Sequence, residues 1–390
     1  MGNGIMKILP NDVAISILLR FPVKSLMRYR GISKIWCTLL QSSYFINLHL
    51  MWSSITEDEF ILVKRSFEER PGQFKHVLSF FSNVSDNDYL NPVSPDLDVP
   101  YLASNYGSVS LQVSMPCNGL IALNDTLSIV LLNPTTRKYN LLHPSSFGYP
   151  HGFDRDICGV GFGFDLMVND YKVVRISEIY SDPYKDPCVT WIKVEIYDLG
   201  IDSWREQNYE DKELPSVFWN PCAEIFYRGA CHWFATANTL QVILCFDMST
   251  DIFRDMKMPD TCYRFDGKCY GLVVLNKSLT LICYRDPTCE IDLKEDFMDI
   301  WTMKVYGVND SWIKRYSIRP LPIKSPLTIW KNLLLFQSKS GQLISYNFYS
   351  DEVREFNLYG YQGSLRVVLY KESLTSVSRE KGHGTQAQQM

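Results

Sequence analysis

The chain has 390 residues, of which 46% are hydrophobic and 21% are charged, so it is long enough for several domains or for one large β-architecture with an addition. Aromatic residues reach 14%, including 23 Tyr, a composition that favours strands over helices. The absence of any run of 18 apolar residues argues against a membrane span, and the first residues lack the apolar stretch of a signal peptide. Eleven cysteines without a CxxC pair indicate reduced thiols, so we expect the protein in the cytosol.

The charge of the chain is divided between a basic head and an acidic body. Residues 1–50 contain a single acid, Asp12, and six bases: Lys7, Arg20, Lys24, Arg28, Arg30 and Lys34. Their formal charge is +5, which leaves −9 for residues 51–390 because the whole chain carries −4. This division suggests two different partners. It argues against nucleic acid, for which the larger domain would be the basic one.

The basic head reads as three short helices. Asn11 is placed to cap the first helix, and Pro22 is placed to end it because proline disfavours helical geometry in the preceding residue. Ser33 is placed to cap the third helix, and Gly31 to end the second. The apolar faces would be formed by Val13, Ile17, Leu18, Phe21, Val23, Leu26, Met27, Trp36, Leu39 and Leu40. So small a unit rarely holds its own core, so it is either a cap packed on the next domain or a module completed by a partner.

The order and spacing of these residues resemble the F-box, through Leu9-Pro10, FPVKSLMRYR, ISKIW and YFINLHL. The positions that match the motif are Leu9, Pro10, Val13, Ile17, Leu18, Phe21, Pro22, Val23, Leu26, Ile32, Ser33 and Trp36. The resemblance implies that these residues bind a Skp-type adaptor or support the helices that bind it. Through the adaptor the chain would join a cullin and a RING subunit in an SCF ubiquitin ligase.

The body contains similar segments, each a hydrophobic strand followed by a polar turn and a second strand. They are LLNPTTRKYNLL, IYDLGIDSWRE, CFDMSTDIFRDM, VYGVNDSWIKRY and SYNFYSDEVREF, which begin at Leu131, Ile196, Cys245, Val305 and Ser345. Their spacing of about 40 to 65 residues is typical of propeller blades. EFILVKR (59–65) is predicted to pair with SLRVVLY (364–370) and to close the ring, which removes exposed sheet edges. A set of unrelated hairpins in a sandwich is the alternative.

These segments resemble the plant F-box-associated domain, especially GFGFDLMVNDYKVVRI and VEIYDLGIDSW. NPTTRKYNLLHPSSFGYPHGF, FYRGACHWFA, MDIWTMKVYG and IWKNLLLFQSKSG are similar to the S-locus F-box branch. That resemblance implies recognition of non-self S-RNases, basic ribonucleases, in the pollen-tube cytosol, and their ubiquitination and proteasomal degradation in self-incompatibility. The alternatives are an F-box receptor of another branch with a different plant target, and a propeller enzyme that carries a helical cap.

We therefore predict an all-α F-box of three helices at residues 5–50, an all-β, propeller-like recognition domain of six or seven blades at residues 51–375, and a disordered polar tail at residues 376–390. The acid-rich loops of the body are the candidates for binding a basic target. Their acidic residues are Asp86, Asp88, Asp96, Asp98, Asp286, Glu290, Asp292, Glu295, Asp296 and Asp299.

No catalytic motif of a nucleotide-binding, zinc-protease, serine-hydrolase or calcium-binding type occurs, and the six histidines do not cluster with cysteines. We expect no catalytic residue, metal or cofactor. The expected mechanism is proximity: the chain holds a target beside the charged ligase and raises the effective concentration of the target's lysines.

Overall fold

The computed structural model describes residues 10–56, 59–82, 90–99, 111–125, 128–181, 190–207, 214–217, 224–237, 239–259, 262, 268–285, 298–319 and 321–377. Four helices form the N-terminal part: α1 (Asn11–Leu18), α2 (Val23–Tyr29), α3 (Lys34–Gln41) and α4 (Ser43–Ile55). The predicted helical head is thus confirmed, but with four helices instead of three. The fourth was missed because apolar residues surround α4 on several sides and give no single stripe.

Of the two predicted N-cap residues, Ser33 is confirmed and Asn11 is not. The Ser33 cap of α3 is confirmed, since its side chain accepts a hydrogen bond from the amide of Ile35 at 3.2 Å. The Asn11 cap is wrong, because Asn11 is already helical and Pro10 occupies the cap position with no side-chain bond. The carbonyl of Pro10 accepts the first helical bond, from Ala14 N at 3.0 Å.

The described part of the body forms six antiparallel sheets arranged as propeller blades. Blade 1 contains β1 (Phe60–Arg70), β2 (Gln73–Ser82), β3 (Asn91–Pro92) and β4 (Leu97–Asp98). Blade 2 contains β5 (Gln112–Val113), β6 (Ile121–Asn124), β7 (Ile129–Asn133) and β8 (Lys138–Leu141). Blade 3 contains β9 (Phe153–Asp165), β10 (Asp170–Ser181), β11 (Thr190–Asp198) and β12 (Ser203–Gln207).

The remaining three blades follow in chain order. Blade 4 contains β13 (Ser216–Val217), β14 (Ile225–Tyr227), β15 (Ala230–Ala237), β16 (Leu240–Asp247) and β17 (Ile252–Lys257). Blade 5 contains β18 (Lys268–Leu275), β19 (Ser278–Arg285), β20 (Met298–Met303) and β21 (Trp312–Ile318), with a 3-10 turn at Asn309–Ser311. Blade 6 contains β22 (Ile323–Trp330), β23 (Leu333–Ser338), β24 (Gln342–Asn347) and β25 (Val353–Tyr359). The propeller is therefore confirmed, with six blades.

The ring is closed by a final strand, β26 (Arg366–Tyr370), which joins blade 1. It pairs antiparallel with β1, from Phe60 opposite Tyr370 to Lys64 opposite Arg366. The predicted pairing of residues 59–65 with residues 364–370 is confirmed. Closure ties the two ends of the domain together and leaves no open sheet between the first and last blades.

The sequence repeats have a common structural cause in the turn between the last two strands of a blade. In blades 2, 4 and 6 an Asn or Asp side chain accepts hydrogen bonds from the two amides that follow two and three residues later, at Asn133, Asp247 and Asn347. Four residues after each of these the backbone has a positive φ, between 56° and 57°. The polar residues of the repeats are thus the residues that this turn requires.

Residues 371–377, which we call the C-terminal strap, run from the end of β26 along the F-box and blade 2. The ammonium of Lys371 donates to the carbonyls of Ser53 and Thr56 at 3.0 and 2.9 Å. On the other side, the amide of Asn133 donates to the carbonyls of Ser373 and Thr375 at 3.0 and 2.9 Å. The strap is therefore hydrogen-bonded to both the F-box and the propeller.

Candidate functional site

The F-box helices enclose a small apolar core that is completed by the strap. Its buried residues are Leu18, Val23, Leu26, Leu40, Phe45 and Leu374. Five of them belong to the helices, whereas Leu374 comes from the far end of the chain and is 3% exposed. The F-box thus packs on the rest of the protein, and its core is complete only with one leucine from the C-terminal strap.

The structure separates the predicted adaptor residues into a surface group and a core group. Pro10, Val13, Ile17, Pro22 and Ile32 are exposed, with Ile32 at 66%, Ile17 at 45% and Val13 at 39%. Leu18, Val23 and Leu26 are buried in the F-box core, and Phe21, Ser33 and Trp36 are half-buried. Leu9 lies outside the described residues. The exposed group can meet a partner without any rearrangement, while the buried group supports the helices.

Trp36 has a structural role besides any contact with a partner. Its ring packs edge-to-face on Tyr29 with centroids 5.6 Å apart, and Tyr29 packs in the same way on Phe21 at 5.5 Å. This aromatic row joins the C-terminal end of α1 to α2 and α3. A substitution at Trp36 would therefore disturb the F-box itself, so exposed residues are the better probes of the adaptor surface.

Further exposed apolar residues, which the motif did not single out, lie on the same helices. They are Ile35, Tyr44, Met51, Trp52 and Ile55. Four basic residues of the F-box are also exposed, namely Arg20, Lys24, Arg28 and Lys34. Exposed apolar residues together with exposed basic residues on the same helices fit an acidic partner. Only the structure could reveal the additional residues, because the sequence does not show which side of α4 faces the propeller.

The predicted target-binding acids that the structure describes are each engaged by a base of the same blade. Asp96 pairs with Arg65 at 2.6 Å, and Asp98 pairs with Lys75 at 3.1 Å. Asp299 pairs with Lys314 at 2.8 Å and also accepts a hydrogen bond from Ser317. These pairs reduce the field that the three carboxylates present to a target. Asp86, Asp88, Asp286, Glu290, Asp292, Glu295 and Asp296 lie outside the described residues.

The position of the F-box defines two faces of the propeller. The chain enters blade 1 at Phe60 and leaves it at Tyr370, which are paired neighbours at one end of the sheet. Because strands alternate in direction, the β1–β2 turn at Gly72 lies at the opposite end. The Gly72 end of blade 1 is therefore the end remote from the point where the chain arrives from the F-box.

Two titratable side chains of the propeller, His232 and Cys158, are held in their neutral forms. His232 is buried in blade 4, with Nε2 2.8 Å from the Tyr306 hydroxyl and Nδ1 3.2 Å from the Ile225 carbonyl. Burial lowers the pKa of His232 to about 4, which keeps the ring neutral. Burial likewise raises the pKa of the Cys158 thiol to about 11, far from a reactive thiolate.

Within the described residues, no three His, Cys, Asp or Glu side chains are grouped as a metal site would require. In the same part of the chain, none of the helices has both the length and the apolar character needed to cross a membrane.

A helical adaptor-type module strapped to a closed six-bladed propeller defines a modular binding protein. Residues 77–377 match the family described as the F-box associated beta propeller domain, and residues 6–48 match the F-box domain. The chain belongs to the family of F-box proteins with an F-box associated beta propeller domain. Members of the F-box family act as non-catalytic substrate adaptors, and the F-box domain implies a Skp-type adaptor and a cullin complex.

The chain is similar to F-box proteins of Arabidopsis thaliana. The chain is 27% identical to the F-box protein CPR1 of Arabidopsis thaliana over 88% of its own length and 80% of that protein. It is also 27% identical to the F-box/kelch-repeat protein At3g23880 of Arabidopsis thaliana, over 85% of its own length and 86% of that protein. Among solved structures, TolB from Acinetobacter baumannii matches with a TM-score of 0.43 and 11% identity, over 84% of this chain and 71% of that one.

Proposed function

We propose that this protein is the substrate-recognition subunit of an SCF-type ubiquitin ligase, and that its targets are non-self S-RNases in the pollen-tube cytosol. The observation that carries the receptor function is the strap. It joins the helices that carry the exposed apolar and basic residues to the propeller. Such a rigid bridge fixes the distance between the ligase and a bound target, which is what catalysis by proximity requires. The S-RNase target is supported by the S-locus resemblance of the sequence and by the −9 charge of residues 51–390.

In this proposal residues 5–50 bind the adaptor and residues 51–375 bind the target. Residues 376 and 377, which the sequence analysis placed at the start of the tail, belong to the C-terminal strap, where Val377 is buried against blades 2 and 3. The exposed residues Pro10, Val13, Ile17, Pro22 and Ile32 contact the adaptor. The acid-rich segment 285–299 steers a basic target. Segment 86–98, which the sequence also predicts for this role, follows β2 at the end of blade 1 next to the F-box, where Ser94 lines a pocket together with Lys24. Since Asp96, Asp98 and Asp299 are already paired with bases, we expect these three carboxylates to contribute little to the steering.

The test is binding of the adaptor-reconstituted protein to a panel of S-RNases at low and at moderate salt concentration. We expect binding to some S-RNases and not to others, with a loss of affinity on adding salt that is larger for basic targets than for neutral ones. Asp292→Asn combined with Glu295→Gln should weaken binding. The matched control, Asp310→Asn combined with Glu352→Gln, removes the same charge from outside these segments and should not.

The second candidate is an F-box receptor of another branch, which the Arabidopsis relatives favour because they are named as an F-box protein and an F-box/kelch-repeat protein, with no S-RNase in either name. Binding of the adaptor without binding of any S-RNase in the panel would decide for this candidate. A salt response that is flat for all targets would remove electrostatic steering from the proposal.

A further inference from the structure

The cleft between the F-box and the propeller is the feature of the structure that the receptor function leaves unused. It is a cleft open to solvent with a volume of about 330 Å³, lined by α2, α3 and α4, by blades 2 and 3, and by the C-terminal strap. This volume lies at the lower end of the range of small-molecule sites. The cleft therefore has room for a ligand of roughly fifteen non-hydrogen atoms.

We propose that this cleft binds a small organic anion with an apolar body, and that the bound molecule fastens the F-box to the propeller. The proposal goes beyond target recognition and does not depend on which protein the propeller face binds. It rests on the charges and on the apolar wall of the cleft.

The charges of the cleft favour an anion. Arg30, at the C-terminal end of α2, and Lys138, at the start of β8, both line it, one from each domain. Among the described residues Lys138 has no ion-pair or hydrogen-bond partner for its ammonium. The only carboxylate in the lining is that of Asp170, and its two oxygens accept the amides of Tyr171 and Gly200 at 2.9 and 2.6 Å. Two cations thus line the cleft beside one carboxylate that backbone amides already hold, and Nη2 of Arg30 also donates to the carbonyl of Leu40 at 3.2 Å.

The remaining wall suits an apolar body. Ile46 and Leu50 of α4 line one side, and Phe164 and Leu199 of blade 3 line the other. A molecule that places an anionic group between Arg30 and Lys138 would lay its apolar part between these side chains. Because Arg30 belongs to the F-box and Lys138 to the propeller, the anion would be held by both domains. Binding would then favour the docked arrangement of the two.

The probe for the test is 1-naphthyl phosphate, with 1-naphthol and inorganic phosphate as the matched controls for its two parts. Isothermal titration of the full chain with the adaptor should give one site, with a Kd of about 1 mM or tighter for a ligand of this size. Neither 1-naphthol nor inorganic phosphate alone should bind as well. Hydrogen exchange should slow on both walls, in α2 and α4 and in β8, when the probe is bound.

Variants of Lys138 test whether the probe binds in this cleft. Lys138→Met should weaken 1-naphthyl phosphate binding by about tenfold or more, and Lys138→Arg should restore it. Lys339→Met, which removes an exposed lysine of blade 6, should leave binding unchanged. Without the probe, Lys138→Met should bind the adaptor as the unaltered chain does, so a failure of this proposal is distinct from a failure of the receptor function.

Three results would overturn the proposal. They are no binding of 1-naphthyl phosphate at about ten times the expected Kd, binding that Lys138→Met leaves unchanged, or equal binding of inorganic phosphate, which would remove the apolar body from the site.

Discussion

The C-terminal strap makes a quantitative prediction about the F-box. Leu374 is 3% exposed and fills a core whose other buried members all belong to the F-box helices. Leu374→Ala removes its side chain from that core and should cost about 2 to 5 kcal/mol, as other buried leucines do. The described helices share this one core, so the lost free energy should destabilise the F-box and not the blades.

The expected result is local opening of the F-box. A loss of about 2 to 5 kcal/mol raises the open population by about 30-fold to several thousandfold. Amides of α2 and α3 should exchange hydrogen faster by up to that factor, and adaptor binding should weaken. Amides of blades 4 and 5, which contribute no residue to the F-box core or to the cleft beside Leu374, should keep their exchange rates.

The matched control is Leu141→Ala, the same chemical change at a leucine that is 49% exposed. It should change the free energy of unfolding by no more than about 0.5 kcal/mol. If Leu374→Ala leaves both α2 exchange and adaptor affinity at the values of the unaltered chain, the strap is not part of the F-box core and the account of the interdomain bridge fails.

Three further predictions concern the propeller and its junction with the strap. Lys172→Met should cost about 3 to 5 kcal/mol in urea unfolding, because it leaves the buried carboxylate of Asp165, 2.6 Å from the Lys172 ammonium, without its counter-charge. Gly119→Ala should loosen the strap, seen as faster exchange in residues 371–377, because φ is +77° there and a Cβ would lie 2.5 Å from Ser373 Cβ. The pKa of His232 falls from 6.5 to about 4 on folding, so protonation of this ring should lower the free energy of unfolding by about 3 kcal/mol between those two pH values. His232→Gln should remove that loss.

The sign of the histidine effect follows from its lowered pKa. The unfolded chain binds the proton first, so the stability due to neutral His232 is complete above pH 6.5 and is lost as the pH falls to about 4. The difference in unfolding free energy between the chain and His232→Gln should shrink over that window. A difference that does not change with pH would contradict a buried neutral ring. For Lys172→Met and Gly119→Ala the controls are Lys339→Met, at an exposed lysine, and Gly152→Ala, at a glycine that also has a positive φ but has no atom within 4 Å of an added Cβ.

The propeller was predictable from sequence for a local reason. Its turns need Asn or Asp at one position and tolerate a positive φ four residues later, so Asn133, Asp247 and Asn347 recur with hydrophobic strands before them. Ring closure could be predicted because residues 59–65 and 364–370 are both apolar strands without partners nearby in sequence. The number of blades could not be fixed, since blade 1 is assembled from both ends of the body and lacks a readable repeat.

The functional surfaces were less predictable because they depend on contacts between distant parts of the chain. The F-box motif identifies Ile17 and Leu18 as residues of the helical module. It does not show that Ile17 is exposed while Leu18 is buried. Leu374 gives no local sign that it belongs to the F-box core. In the same way, the composition of an acid-rich loop does not reveal that Asp96 is held by Arg65, which lies on another strand.

The most direct test of the receptor function is ubiquitination of an S-RNase panel by the reconstituted ligase, with the unaltered chain and with Ile32→Asp. Ile32 is 66% exposed, so a charge there should disrupt the adaptor surface and leave the propeller folded. Leu141→Asp, at an exposed leucine of blade 2, is the matched control. The account predicts selective ubiquitination of some S-RNases, lost in Ile32→Asp and kept in Leu141→Asp. Ubiquitination that Ile32→Asp leaves unchanged, or that shows no preference among the S-RNases, would contradict it.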